Sequence, residues 1–336
     1  MASRVRLNDI AELAGVSVAT VSRVVNGSNS VRKSTADAVM VAIDTLGYDR
    51  PLALSDESQE TVGVIIPELT NPIFASFSHY LQLELARHGL ATFICSQTPG
   101  GSSEKRLLEA LTQAGVKGVI FVCGRHADTQ ASLSQYHALI ASRTPSVIIN
   151  GPRQELAIPS ITTNDSVGIT HAINHLQSLG HTKIALVCGR DNAIPAKNKR
   201  IAFETAMRAR FPGKTPIVFP AFYTFEGGQA AAQNVIDSKV TAVIAGSDLL
   251  ALGVIYALRQ NGIKVPQEIS VIGMDDSPLI TLTDPPLTTL RQPVQKMVTA
   301  AVEILREQMG NSTTPQKQLT FVPDLIVRGS TAALTE

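Results

Sequence analysis

The feature that most constrains the fold is a repeated alternation. Short apolar runs, VGVIIP (62–67), LATFICS (90–96), GVIFVC (118–123), SVIIN (146–150), KIALVCG (183–189), AVIAGS (242–247) and ISVIGMDD (269–276), are separated by stretches of helical periodicity. Strands alternating with amphipathic helices build βαβ units and parallel sheets. At 336 residues, with 44% hydrophobic and 17% charged side chains, the chain is long enough for more than one such core. The predicted core is an α/β pair of Rossmann-like halves, joined near Ser160–Asp165 and again near Leu287–Gln292. A cleft then runs between the halves, and open α/β sheets bind ligands at the carboxyl ends of their strands.

The polar and aromatic residues at those strand ends are therefore the candidates for a ligand site. Asn71 and Phe74 follow the first strand, Asn150 the fourth, Ser247 and Asp248 the AVIAG run, and Asp275 with Asp276 the SVIGM run. Asp275 stands out, because a strand-end carboxylate can accept two hydroxyl hydrogen bonds, as sugars and polyols require. Asp276 precedes Ser277-Pro278, which reads as a helix start, so its expected role is an N-cap.

The N-terminal fifty residues have a different pattern. In LNDIAELAGVSVATVSRVVN (7–26), Leu7, Ile10, Ala11 and Ala14 form an apolar stripe that Gly15 terminates. Ser17 can cap a second helix whose buried side is Val21, Val24 and Val25. Its other face presents Val18, Ala19, Ser22, Arg23 and Asn26. A third helix, Ser34 to Leu46, with Ser34 as its expected cap and Asp37 three residues on, completes a three-helix core and is stopped by Gly47. A short second helix with a polar outer face, set by a tight turn, is the geometry that places side chains in the DNA major groove.

DIAELAGVSVATVSRVVNG, the LGY at Leu46–Tyr48 and the downstream chain together resemble the lactose-repressor (LacI) family of bacterial transcription regulators. The core also resembles the periplasmic sugar-binding proteins of type I. The resemblance implies a small all-α helix-turn-helix head at 1–48, a linker or hinge at 49–61 and an effector-binding and dimerisation core at 62–336. Within the core it implies an N-subdomain of about 62–161 and 292–322 and a C-subdomain of about 162–291 and 323–336. It makes Val18, Ala19 and Arg23 the base-reading residues, with Ser17, Thr20, Ser22 and Asn26 holding phosphates or the turn. Arg6 stands where the family usually has a capping Thr, and with Leu7 it joins the DNA-facing set. In the cleft the resemblance adds Phe222 as a stacking platform and Gln292 at the crossover. It also adds a basic residue before Phe203, which in KNKRIAFE is either Lys199 or Arg200.

Charge tempers the DNA reading. Arg4, Arg6, Arg23, Arg32, Lys33 and Arg50 are nearly balanced by Asp9, Glu12, Asp37, Asp44 and Asp49, so a single head carries little excess positive charge. Counterion release scales with the phosphates neutralised, so two heads on a homodimer, possibly a tetramer, are expected to read a near-palindromic operator. The linker DRPLALSDESQE departs from the family pattern and is acidic; Leu52 and Leu54 are its only candidates for a minor-groove wedge, and a flexible tether is the alternative.

Other classes find little support. The run MASRVRLNDIAELAG has no signal-peptide core and no apolar run nears the ~20 residues of a membrane span, so a cytoplasmic location is expected. Cys95, Cys123 and Cys188 end apolar runs, as reduced core thiols do. His171 and His175 lie one helical turn apart without a third ligand, and no cofactor or metal is expected. No GxGxxG after a strand, GxxxxGK[ST] or GxSxG occurs, which argues against an enzyme. With no Trp and 4% aromatic residues, a small sugar, sugar phosphate or polyol fits better than an oligosaccharide, and a purine or nucleoside is the alternative effector. Repression is the expected output, with activation or dual control as the alternative.

Overall fold

The computed structural model describes residues 5–25, 31–46, 60–97, 103–310 and 317–334. Asn26, Leu52 and Leu54, Gly47 and most of the linker lie outside them. The chain divides into two compact units, 1–58 and 59–336.

The smaller unit holds α1 (Leu7–Ala14), α2 (Val18–Val25) and α3 (Lys33–Leu46). Ile10, Ala11, Val21, Val39 and Ala42 form its core. Gly15 ends α1 in the left-handed region at φ 64°, which costs a residue without Cβ little. α3 starts one residue before the expected Ser34 cap. The Arg32 carbonyl accepts from the N–H groups of Thr35 and Ala36 at 3.0 and 2.9 Å, which leaves Ser34 inside the first turn.

The larger unit is built on two six-stranded sheets. The first half begins with β1 (Thr61–Ile66), α4 (Pro72–Arg87), β2 (Ala91–Ser96), α5 (Glu104–Gln113) and β3 (Gly118–Val122). It continues through α6 (Ser134–Ala141), β4 (Ser146–Ile149) and β5 (Ser160–Thr163). The chain then crosses to the second half: α7 (Asp165–Ser178), β6 (Ile184–Cys188), α8 (Ile194–Arg210), β7 (Ile217–Pro220) and α9 (Phe225–Asp237). β8 (Ala242–Ala245), α10 (Asp248–Gln260), β9 (Ser270–Asp275) and β10 (Thr288–Arg291) follow. It returns for α11 (Val294–Met309) and β11 (Gln318–Phe321), and crosses a last time into β12 (Asp324–Ile326). The orders are β11-β5-β4-β3-β1-β2 and β12-β10-β9-β8-β6-β7, parallel except for the β10–β12 pair.

The apolar runs are continuous because both sheet faces are covered. In β1, Val62, Val64 and Ile66 face α4 and α11, while Ile65 faces α5 and α6. In β6, Ala185 and Val187 face α9 and α10, while Ile184, Leu186 and Cys188 face α7 and α8. Cys188 is buried, and Cys95 and Cys123 are half-buried. The expected helix after Asp276 is absent. Asp276 instead binds Arg291 and Arg328, each at 2.5 Å, and only a short 3-10 turn at Ile280–Leu282 follows.

Candidate functional site

On the smaller unit α2 has the capped start expected of it. The Ser17 hydroxyl accepts from the Thr20 N–H at 3.2 Å and lies 2.9 Å from the Thr20 hydroxyl. Val21 is buried, whereas Val18, Ala19 and Arg23 are exposed and Thr20 and Ser22 half-buried. An exposed valine and alanine at the first turn of a helix contribute nothing to this core, but they suit contact with thymine methyl groups. Arg6 precedes α1 with its backbone N–H donated to the Asp9 carboxylate at 2.7 Å; its exposed side chain has no acceptor atom with which to cap the helix.

On the larger unit a cavity of about 300 Å³ opens between the two sheets at the carboxyl ends of their strands. Asn71, Phe74, Asn150, Lys199, Ser247, Asp275 and Gln292 all line it. Arg200, Phe222 and Asp248 do not. Arg200 turns outward to Asp191 at 2.7 Å and Glu204 at 2.8 Å, so of the two basic residues it is Lys199 that lines the cavity. Phe222 is 62% exposed beneath the Arg190 guanidinium, and the next residue, Tyr223, supplies the aromatic wall. Asp248 is buried behind the wall, accepting from the Thr289 hydroxyl and the Ser277 N–H, each at 2.6 Å.

Several lining residues are set by helix capping. Asn71 accepts from the Ile73 N–H at 3.4 Å and Ser247 from the Leu250 N–H at 3.2 Å, fixing the starts of α4 and α10 at the cavity edge. Asp275 has φ 122° and Asn150 φ 60°, uncommon backbone for residues other than glycine. Gln292, where the chain crosses between sheets, donates to Asp275 Oδ1 at 2.6 Å and accepts from Asn150 Nδ2 at 3.4 Å. One carboxamide thus ties the two halves together. Asn150 Oδ1 and the Tyr223 hydroxyl are buried without a hydrogen-bond partner, so the lining holds an acceptor and a hydroxyl that a polar ligand could satisfy.

The electrostatics of the cavity are acidic. Lys199 is buried against Asp165 at 3.2 Å; burial opposes its charge, but the neighbouring carboxylates outweigh that and hold the ammonium above its ordinary range. Burial, and then the charge of Asp248, pushes the Asp275 carboxyl well above the usual carboxylate range. Burial likewise lifts Asp248 to about 6 and the Cys123 thiol to about 11, so Cys123 is a protonated wall residue and a poor nucleophile. Glu68 and Asp128 complete the acidic lining. Opposite the Gln292 crossover, the Thr129 N–H donates to the Asn192 carbonyl at 2.7 Å and Asn192 Nδ2 reaches Asp128 at 3.3 Å, joining the two halves across the cavity.

Sequence reasoning missed Tyr223, Asp128, Asn192 and Asp165. Tyr223 follows β7, whose half-exposed residues give a weak strand signal. Asp128 and Asn192 come from separate loops whose pairing is a property of the closed three-dimensional fold. Among the described residues no group of His, Cys, Asp and Glu is placed to hold a metal, and no helix is long and apolar enough to cross a membrane.

Comparison with known proteins agrees with this geometry. Residues 6–50 match the model for bacterial regulatory proteins of the lacI family, and residues 173–331 match that of a periplasmic binding protein-like domain. The HTH-type transcriptional regulator MalR of Streptomyces coelicolor is 44% identical over 98% of this chain and 97% of its own length. A transcriptional regulator CelR–cellobiose complex superposes with TM-score 0.72 at 27% identity, covering 97% of this chain and all of that one. A LacI-family regulator from Arthrobacter sp. FB24 in complex with lactose gives 0.71 at 27% identity over 82% of this chain and all of that one. The chain belongs to the LacI family: it is a DNA-binding transcriptional regulator with a helix-turn-helix and a periplasmic-binding-protein-like core, not an enzyme.

Proposed function

We propose that the protein is a dimeric repressor whose grip on a near-palindromic operator is set by a small neutral saccharide in the cavity of the larger unit. The observation that carries this reading is the convergence of Asn71, Asn150, Asp275 and Gln292 on one cavity, with the buried carboxamide oxygen of Asn150 left without a partner. Neutral polyhydroxy ligands donate many hydrogen bonds and bring no charge. Glu68 and Asp128 line the cavity, and its one ammonium is already engaged by Asp165, which opposes a phosphorylated sugar. Relatives crystallised with cellobiose and lactose support the same class. Phe74 and Tyr223 offer flat faces that a purine would also use, so guanine belongs in the test.

Val18, Ala19 and Arg23 are the residues we assign to base edges, and Ser17, Thr20 and Ser22 to the phosphates. Effector binding between the halves favours one relative angle of the two sheets. That preference reaches the heads through the linker, and the coupling is reciprocal. A second copy is the partner we assign to the β2 edge, where Phe93 is 49% and Ile94 38% exposed. Two heads also supply the phosphate contacts that one nearly neutral head lacks.

The test is thermal melting of the full chain with maltose, cellobiose, lactose, ribose, glucose 6-phosphate and guanine, followed by operator binding with any ligand that raises the Tm. A neutral saccharide that raises the Tm and changes operator affinity supports the proposal. A response confined to glucose 6-phosphate or guanine, or no effect on DNA binding, refutes it.

A further inference from the structure

Behind the cavity wall lies a second polar array that the functional reading does not use. Glu104, Tyr136 and His126 are completely buried between the first sheet and its outer helices, where the other neighbours are Ile65, Leu108, Phe121 and Leu139. Glu104 accepts from the Arg125 N–H at 2.7 Å and from Gln97 Nε2 at 3.1 Å, and its other oxygen accepts from Gln135 and from the Tyr136 hydroxyl. All four partners can donate to it, while burial pushes the carboxyl above its ordinary range. The Tyr136 oxygen in turn accepts from the His126 N–H at 2.9 Å, and His126 Nε2 stands 2.8 Å from the Asn150 carbonyl. A carbonyl can only accept, so Nε2 carries the proton and the tautomer is fixed from the cavity side. The rings of Tyr136 and His126 meet edge to face with centroids 5.6 Å apart. Gly124 permits this closeness: a Cβ there would come within 2.5 Å of Glu104 Oε2.

Burying a carboxylate, a phenol and an imidazole where leucines would pack is expensive, and the array ends on one residue of the cavity. That residue is Asn150, whose backbone is left-handed at φ 60°, whose carboxamide nitrogen reaches Gln292 and whose carboxamide oxygen has no partner. We infer that Glu104, Tyr136 and His126 are positioning residues for the effector site: they hold the Asn150 carbonyl so that its carboxamide stays at the cavity lining, with the nitrogen on Gln292 and the buried Oδ1 left for a ligand hydroxyl to satisfy. The inference rests on the proposed function for the identity of the ligand, but the positioning itself can be read without one.

The test uses full-length protein labelled with 15N-asparagine and the variants His126→Phe, His126→Gln, Tyr136→Phe and Asn150→Ala. Glutamine retains a donor near Nε2, and Tyr136→Phe keeps the ring while removing the bridge, so a folded variant is available if His126→Phe does not fold. The Asn150 side-chain amide signal is expected to move in His126→Phe and Tyr136→Phe and to return toward its native position in His126→Gln. Lactose and cellobiose affinities, measured by calorimetry, should fall about tenfold in His126→Phe, and that loss should vanish in the Asn150→Ala background because both changes act through one group. An unmoved Asn150 signal in folded Tyr136→Phe, or a loss that is additive with Asn150→Ala, overturns the inference. Movement of the Asn150 signal in a protein that binds neither sugar upholds the positioning and counts against the choice of ligand.

Discussion

Asp275 concentrates the consequences of single side chains. It is buried at the end of β9, held by Gln292, and raised in pKa by its surroundings. It lines the cavity of the larger unit and is no part of the head's core, so Asp275→Ala should leave operator binding intact and abolish the effector response; an unchanged effector titration would remove it from the site. His126 gives a prediction in pH. Burial lowers its pKa from 6.5 to about 4, with Glu104, Tyr136 and Arg153 the polar and charged groups around it. Above pH 6.5 the ring is neutral whether the chain is folded or unfolded. As pH falls from 6.5 to about 4, the unfolded chain takes up a proton that the folded chain refuses, and stability of about 3 kcal/mol is lost. His126→Gln lacks that titration, so its stability deficit relative to the native protein should shrink across this window in urea melts. A deficit constant with pH would show that the ring charges freely in the folded state.

Among the elements, α2 depends on its first turn and β2 on its edge. Ser17→Ala removes the oxygen that accepts the Thr20 N–H and should destabilise the head by about 1 kcal/mol, seen as a lower Tm of its separate transition. Arg23→Ala should weaken specific binding and relax base preference by ~1–3 kcal/mol if the guanidinium holds a base bidentately; equal affinity for all operator variants in both proteins would exclude it as a reader. The legibility of these elements in sequence tracks how strongly burial shaped them. β1, β3, β4, β6, β8 and β9 are apolar on both faces and stand out as runs. β5, β10 and β11 read SITT, TTLR and QLTF, short and rich in hydroxyls, because they lie near or at sheet edges and where the chain changes sheets. For the same reason Asp275 and Asn150 were visible as strand ends. Arg200 and Phe222 are each one residue from a lining side chain, and a one-residue step turns a side chain by about 100° on a helix and to the opposite face of an extended segment. Asp248 was named for its strand end, yet Thr289 and Ser277 draw it behind the wall.

At the scale of the molecule, the exposed Phe93 and Ile94 mark the β2 edge as a face to be covered. If the proposed dimer forms through this edge, Ile94→Glu should convert it to a monomer in sedimentation and reduce operator affinity without lowering effector affinity; a variant that sediments like the native protein would exclude this edge as the interface. A different consequence lies in the order of the strands. β11 forms the outer edge of the first sheet beside β5, α11 packs against α4, and β12 closes the second sheet beside β10. Neither half is therefore complete until β11 and β12 have been synthesised, whereas the three-helix head precedes both sheets in the chain. A premature stop near residue 290 would release a folded head with no platform to pair or regulate it, so such truncations should lose operator binding together with effector control.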